Sequence, residues 1–313
     1  LIRGPKGYEA LGAFDNSERT EALDCLGFSK QLVFSSLSTT MLFGEGVTPD
    51  VAYGGCRAHN RSMAEFCADE RLMGVGLLPI DDVDRSIKDL AYAVSLGLEA
   101  MWIPHRLANG HSPGRSSLDP LWARFVEHDM PFLLHVGGAA LKVSPGWLNN
   151  GHPIPKDWLG GGENIRSKDM LGLHHLPELF LATLVLYGVL ERFPKLRGGV
   201  VELGAGWVPS MLARLDLVAG IWSRSEPLLK DLKRQPSRQI IDQIRFTPFV
   251  FEDVGAIINA SDAHLYMFSS DYPHPEGGRD PLGRFGQTLE GQNSETLDRF
   301  YTQNFANLMG IDS

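Results

Sequence analysis

His264-Leu-Tyr-Met-Phe-Ser-Ser-Asp-Tyr-Pro-His-Pro-Glu-Gly-Gly278 is the stretch on which the reading of the whole chain turns. Leu265 to Ser269 has the apolar make-up of a short buried strand, opened by a polar residue and closed by a turn. Asp271 falls where that strand ends, and Pro273 and Pro275 stop any continuation, since each removes a backbone donor and fixes φ. An acid held at the carboxyl end of a strand is placed to bind a metal or move a proton. The plainer reading is that Asp271 caps the next turn, as aspartate often does.

Upstream, strand-like and helix-like stretches alternate. Strands are expected near residues 31, 71, 99, 131, 199, 243 and 265. Helices are expected at 17–26, 49–69, 81–98, 120–128, 177–193, 208–222, 253–260 and 294–309, with a charged helical segment at 226–233. Such βαβα alternation predicts a parallel sheet with helices outside it. The helix at 17–26 has no strand ahead of it, so the expected architecture is an α/β, (β/α)8 TIM barrel of metal-dependent hydrolase type. Its first strand is missing from the chain, which starts at Leu1, and residues 1–313 form a single domain. A barrel of roughly 250 residues is commonly one domain.

The composition narrows the function. Hydrophobic content of 43% and charged content of 21% are those of an ordinary globular protein. A net charge of −9 argues against a nucleic-acid partner. The most apolar run, Leu179 to Leu190, is shorter than the ~20 residues a membrane span needs. Cys25, Cys56 and Cys67 are odd in number and lack C-x-x-C spacing, which points to free thiols in a reducing, cytoplasmic setting.

In TIM barrels the active site lies at the carboxyl ends of the strands. The residues there are Ser35 to Thr39, Pro79, His105, Arg106, His135, Glu202, Thr247 and Asp271. A histidine and an aspartate at two strand ends, with an acid at a third, make a plausible mononuclear site for zinc, manganese or iron. His135, between Leu134 and Val136, is costly to bury unless bonded. Glu202 is read as a base, a ligand or a salt-bridge anchor. His274 either faces the site or braces the Pro-His-Pro turn. Arg106 offers a bidentate fork for a substrate carboxylate, with His105 beside it. A Gly-, Pro- and Asn-rich loop of roughly 35 residues after strand 131–137 carries His152, Trp147 and Trp158. Its tryptophans, Trp158 above all, either close over an aromatic substrate or pack the loop.

Four stretches carry a resemblance: Phe132-Leu-Leu-His-Val-Gly137, Gly188-Val-Leu-Glu-Arg-Phe-Pro-Lys-Leu196, the run from Val201-Glu-Leu-Gly-Ala-Gly-Trp207 to Asp216, and Phe268-Ser-Ser-Asp-Tyr-Pro-His-Pro-Glu-Gly277. Together with Asn60, Ala64-Glu-Phe-Cys67 and Arg71-Leu72, they resemble the amidohydrolase-related family. This branch of the amidohydrolase superfamily contains aminocarboxymuconate-semialdehyde decarboxylase and the resorcylate- and vanillate-type decarboxylases. The resemblance implies one divalent metal, zinc first, held by a His-x-His pair on strand one, by His135 and by Asp271. No His-x-His pair matches in this chain. It also implies a histidine on strand six, where this chain has Glu202 in a Glu-x-Gly-x-Gly-Trp setting closer to hydrolase-like members.

The expected function is a metal-dependent hydrolase of a small carboxylated or cyclic compound, with Asp271, Glu202 and His274 as the catalytic set. His135 and Asp271 are the expected ligands, and His105, Arg106 and Trp158 the expected substrate-binding residues. The first alternative is a non-oxidative decarboxylase of an aromatic or muconate-type acid; the second is a non-catalytic small-molecule-binding barrel. The expected partner beyond substrate is a second copy of the chain, through part of the apolar helix at 177–193.

Overall fold

The computed structural model describes residues 9–36, 38–44, 46–139, 145–147, 149–153, 167–274 and 277–311. Six strands form one parallel sheet in sequence order: β1 (Gln31–Val33), β2 (Leu72–Leu77), β3 (Ala100–Trp102), β4 (Phe132–His135), β5 (Gly198–Val201) and β6 (Ile244–Phe246). Each strand pairs in parallel with the next, from Gln31 opposite Leu72 to Val200 opposite Phe246. Sequential parallel strands joined by helices form the curled sheet of a TIM barrel, here open on one side.

The strand expected at 265–269 is reduced to a single parallel bridge between Phe246 and Tyr266. Two backbone bonds make it: Phe246 N–H donates to Leu265 C=O at 2.7 Å, and Met267 N–H donates to Phe246 C=O at 2.9 Å. A strand persists where both sides of its backbone are paired. Among the described residues, neither this segment nor β1 pairs with a strand on its far side. The two edges face each other across a cavity, with Leu32 and Phe34 on one side and Met267 and Phe268 on the other.

The strands read as they fold. Every residue of β2, β4 and β5 is buried, as expected for strands covered on both faces. The helices pack outside: α1 (Asn16–Leu26), α2 (Ser38–Leu42), α3 (Pro49–Phe66), α4 (Val83–Ser95), α5 (Asp119–Glu127), α6 (Ser167–Gly172), α7 (His175–Leu186), α8 (Val189–Arg192) and α9 (Val208–Trp222). α1 begins on Asp15, whose carboxylate accepts from Ser17 N–H, and ends at Gly27 with φ +75°. The helix expected over 177–193 is two helices, because Gly188 takes a left-handed φ of +73° between α7 and α8. No described helix is long and apolar enough to cross a membrane.

Asn60 of α3 ties helix to sheet. Its side-chain oxygen accepts from Leu77 N–H at 2.7 Å, and its amide donates to Leu77 C=O at 3.1 Å. The last turn of β2 is thereby satisfied by a side chain that is 1% exposed.

Candidate metal and catalytic site

The carboxyl ends of β1, β4, β5 and β6, and the segment after Tyr266, converge on one cavity of about 620 Å³. That is the size of a pocket for one small organic molecule. His135 ends β4. Its Nδ1–H donates to the Val136 carbonyl at 2.9 Å, and its Nε2 lies 3.0 Å from Glu202 Oε2. A carbonyl and a carboxylate both only accept, so the Nε2–Oε2 contact requires a proton between the two groups, and the ring points Nε2 at the acid cluster. Phe34 stacks on the ring at 4.6 Å between centroids, and Trp102 lies 4.4 Å away on the same basis.

Glu202 follows β5 with φ +55°, and Asp271 has φ +50°. Left-handed backbone at a non-glycine residue costs energy and clusters at functional positions. Both carboxylates stand at this cavity. Glu202 N–H donates to Thr247 Oγ1 at 3.1 Å, which fixes the start of the turn. Glu252 fixes the rest: its carboxylate accepts from Phe249, Ala205 and Gly206 N–H at 2.7 to 3.2 Å. Gly206 and Gly204 are required there, since a Cβ on either would come within 3.0 Å of Glu252 or Phe249. Burial pushes the Glu202 carboxyl up, but the charge and hydrogen bond of His135, with the charge of His274, outweigh it and hold Glu202 below the usual carboxylate value.

His274 completes the set. Its Nε2 is 3.0 Å from Ser36 Oγ, and its Nδ1 is 3.6 Å from Asp271 Oδ1 and 4.0 Å from Glu202 Oε1. One ligand atom from each of Glu202, Asp271 and His274 falls within 4.8 Å of the others. His274 Nδ1 is buried without a hydrogen-bond partner. Two carboxylates and an unsatisfied imidazole nitrogen are a donor set that suits a divalent ion. The residues present therefore fit a metal. The three residues expected to be catalytic are brought together. His135, expected as a ligand, reaches the cluster through Glu202.

Two of the expected substrate-binding residues, His105 and Arg106, are already packed or paired. Arg106 is held by Asp81 in a bidentate pair, 2.8 and 3.0 Å, so its fork is already engaged. His105 is 2% exposed and packs against Trp102 and Gly138. Neither lines the cavity. Burial, aided by the charge of His135, drives the His105 pKa down to about 3. Trp158 is outside the described residues, and Trp147 is exposed.

Two further residues belong to the surroundings of the site. His59 of α3 places Nε2 2.9 Å from Ser35 Oγ and Nδ1 3.0 Å from Asn60 Oδ1. Ser36 bonds His274. Ser36 stood among the strand-end residues, but nothing local marks its partner 238 positions away. His59 carries no local signal, since its partner Ser35 lies 24 positions away on another element.

A family model described as amidohydrolase matches residues 37–304. A decarboxylase of Emericella nidulans, orsB, is 28% identical over 233 residues, covering 72% of this chain. The chain spans 66% of the length of that relative. The fold is similar to amidohydrolase map2389c of Mycobacterium avium subsp. paratuberculosis K-10, with a TM-score of 0.77 and 19% identity over 96% of this chain and 75% of that one. It is also similar to the 5-carboxyvanillate decarboxylase of Novosphingobium aromaticivorans complexed with manganese and 4-hydroxy-3-methoxy-5-nitrobenzoic acid. There the TM-score is 0.72 at 18% identity, over 97% of this chain and 85% of that one.

Proposed function

The chain belongs to the amidohydrolase family of enzymes, and from that premise we propose that it is a metal-dependent, non-oxidative decarboxylase of a small aromatic acid. The observation that carries this is the convergence of Glu202, Asp271 and the unpartnered His274 Nδ1 inside one cavity walled by Phe34 and His135. The decarboxylases among its relatives support the choice of reaction.

Glu202, Asp271 and His274 would hold one divalent ion, with His135 Nε2 adjoining. Bound there, the ion supplies a Lewis acid for a substrate carboxylate or phenolate and acidifies bound water. Zinc is the ion the resemblance puts first, the donor set also accepts manganese, and manganese in the vanillate-type relative makes it the second to test.

In the reaction the bond from ring carbon to carboxylate breaks, its electron pair stays on the ring, CO2 leaves and a proton takes the vacated position. This chain's part is to orient the ring and hold that proton. Phe34 offers an aromatic face beside His135. The His135–Glu202 pair is a proton store, because Nε2 and Oε2 at 3.0 Å can share one proton. Asp271 serves as ligand and as the acid–base group nearest the open cavity.

A hydrolytic reading is kept by one observation. Glu202 stands where the decarboxylase resemblance implies a histidine, and its pairing with His135 is also that of a base acting on water. A panel of ortho-hydroxylated benzoates, with CO2 release followed in a coupled assay, separates the two. Decarboxylation predicts CO2 from at least one member, lost in Asp271→Asn. No CO2 from any member, alongside hydrolysis of aryl esters or lactones, would replace it with the hydrolase reading. A homodimer is also part of this reading, supported by Leu179 on α7 and Leu217, Ile221 and Trp222 on α9, each at least half exposed. Light scattering giving one chain's mass at micromolar concentration would sink it.

A further inference from the structure

We infer that Ser36 is the positioning residue of the metal centre: its hydroxyl fixes the His274 ring so that Nδ1, and not Nε2, faces Glu202 and Asp271. The inference rests on the metal reading of that cluster. Successive residues of an extended segment point to opposite faces. At the exit of β1 this sends two adjacent hydroxyls to two different imidazoles. Ser35 Oγ meets His59 Nε2 at 2.9 Å on the α3 side, and Ser36 Oγ meets His274 Nε2 at 3.0 Å on the cavity side. His274 is otherwise tied at its backbone, where its N–H donates to Asp271 C=O at 2.7 Å. Its ring is hydrogen-bonded at Nε2 by Ser36.

Hydroxyl, imidazole and carboxylate in a row is also the order of a nucleophilic triad. The distances decide between the two. A triad needs Nδ1–H on a carboxylate at ~2.7–2.9 Å, the length of a charge-assisted bond. The observed separations are 3.6 and 4.0 Å, and Nδ1 makes no hydrogen bond. Ligands that each stand ~2.0–2.2 Å from one ion are separated from one another by roughly 3–4 Å. The spacing is therefore that of groups sharing an ion. Nδ1 must be bare to bind it, so Nε2 carries the proton and donates it to Ser36 Oγ. A serine hydroxyl at this place accepts that bond. An alanine cannot, and the ring is then free to turn. Outer partners of this kind affect metal affinity about 10–100-fold.

The test is Zn²⁺ affinity, measured by competition with a chromophoric chelator, for the wild type and for Ser36→Ala, Ser36→Thr and His274→Ala. Urea midpoints of the four metal-free proteins are taken alongside. The inference predicts affinity about 10–100-fold weaker in Ser36→Ala, near wild type in Ser36→Thr, and weakened at least as far in His274→Ala. The metal-free midpoint of Ser36→Ala should be unmoved, since Ser36 is exposed. Weakened binding in His274→Ala with wild-type affinity in Ser36→Ala overturns the role of Ser36 and leaves the metal reading standing. A wild type that takes up no Zn²⁺ overturns the metal reading and this inference with it. Covalent labelling of Ser36 by a fluorophosphonate, abolished in His274→Ala, with Zn²⁺ affinity unchanged in Ser36→Ala, would make Ser36 a nucleophile instead.

Discussion

His105 offers a prediction whose size follows from its surroundings. The ring is 2% exposed, lies against Trp102 and Gly138 with the charge of His135 near it, and its pKa is driven down to about 3. In the unfolded chain its pKa returns to about 6.5. The unfolded state therefore takes up a proton as pH falls below about 6.5, while the folded state does not until pH nears 3. Stability from this group is complete above about 6.5 and is lost as pH falls. Between pH 7 and pH 5 the loss is RT ln[(1 + 10^1.5)/(1 + 10^−0.5)], about 2 kcal/mol, and it holds for any folded-state pKa below about 4.5. The perturbation is His105→Phe, which has no proton to gain at either pH. Urea unfolding of both proteins at pH 7 and pH 5, at constant ionic strength, cancels the contributions of the other histidines. The wild type should lose about 2 kcal/mol more than the variant over that interval. Equal losses, within about 0.5 kcal/mol, would show that His105 is free to charge in the native state and would refute the reasoning.

The remaining predictions concern the scaffold and the thiols. Asn60→Leu removes both bonds to Leu77 and leaves a buried N–H and C=O unpaired. It should cost about 2–4 kcal/mol in urea unfolding, and a loss under 1 kcal/mol would mean the β2 exit is satisfied by other means. Burial pushes the Cys56 and Cys67 thiols up to about 12, while Cys25 is exposed. A disulfide reagent at pH 8 should thus titrate one thiol fast in the native protein, located at Cys25 by peptide mapping; three fast thiols would contradict the packing around α3. Glu202→Gln should slow turnover even at saturating metal if the His135–Glu202 pair supplies the proton, and an unchanged rate would exclude that role.

What the sequence made legible follows the physics of each element. β2, β4 and β5 are buried on both faces, so their apolar runs announced them, and His135 stood out as a lone polar residue at the end of such a run. Asp271 was legible because prolines punctuate the chain beside it. The segment 265–269 has the same apolar character but only one neighbour, Phe246, and composition does not record how many partners a strand will find. The apolar helix at 177–193 hid its break at Gly188, because glycine is tolerated in a helix until its φ turns positive. The pairing of Arg106 was hidden for a related reason: Asp81, which engages it, is 25 residues away and reaches it only once β2 and β3 are paired. The Ser36–His274 and Ser35–His59 contacts are tertiary in the same way. The glutamate at 202 was visible from the start, and its direct approach to His135 was not.

The most direct test of the metal-centred account is the ion content of the purified protein by plasma mass spectrometry, beside Asp271→Asn and His135→Ala. The account predicts about one divalent ion per wild-type chain, lost in Asp271→Asn and lowered in His135→Ala. A wild type without bound metal after supplementation, or an Asp271→Asn variant that keeps its full complement, would contradict it.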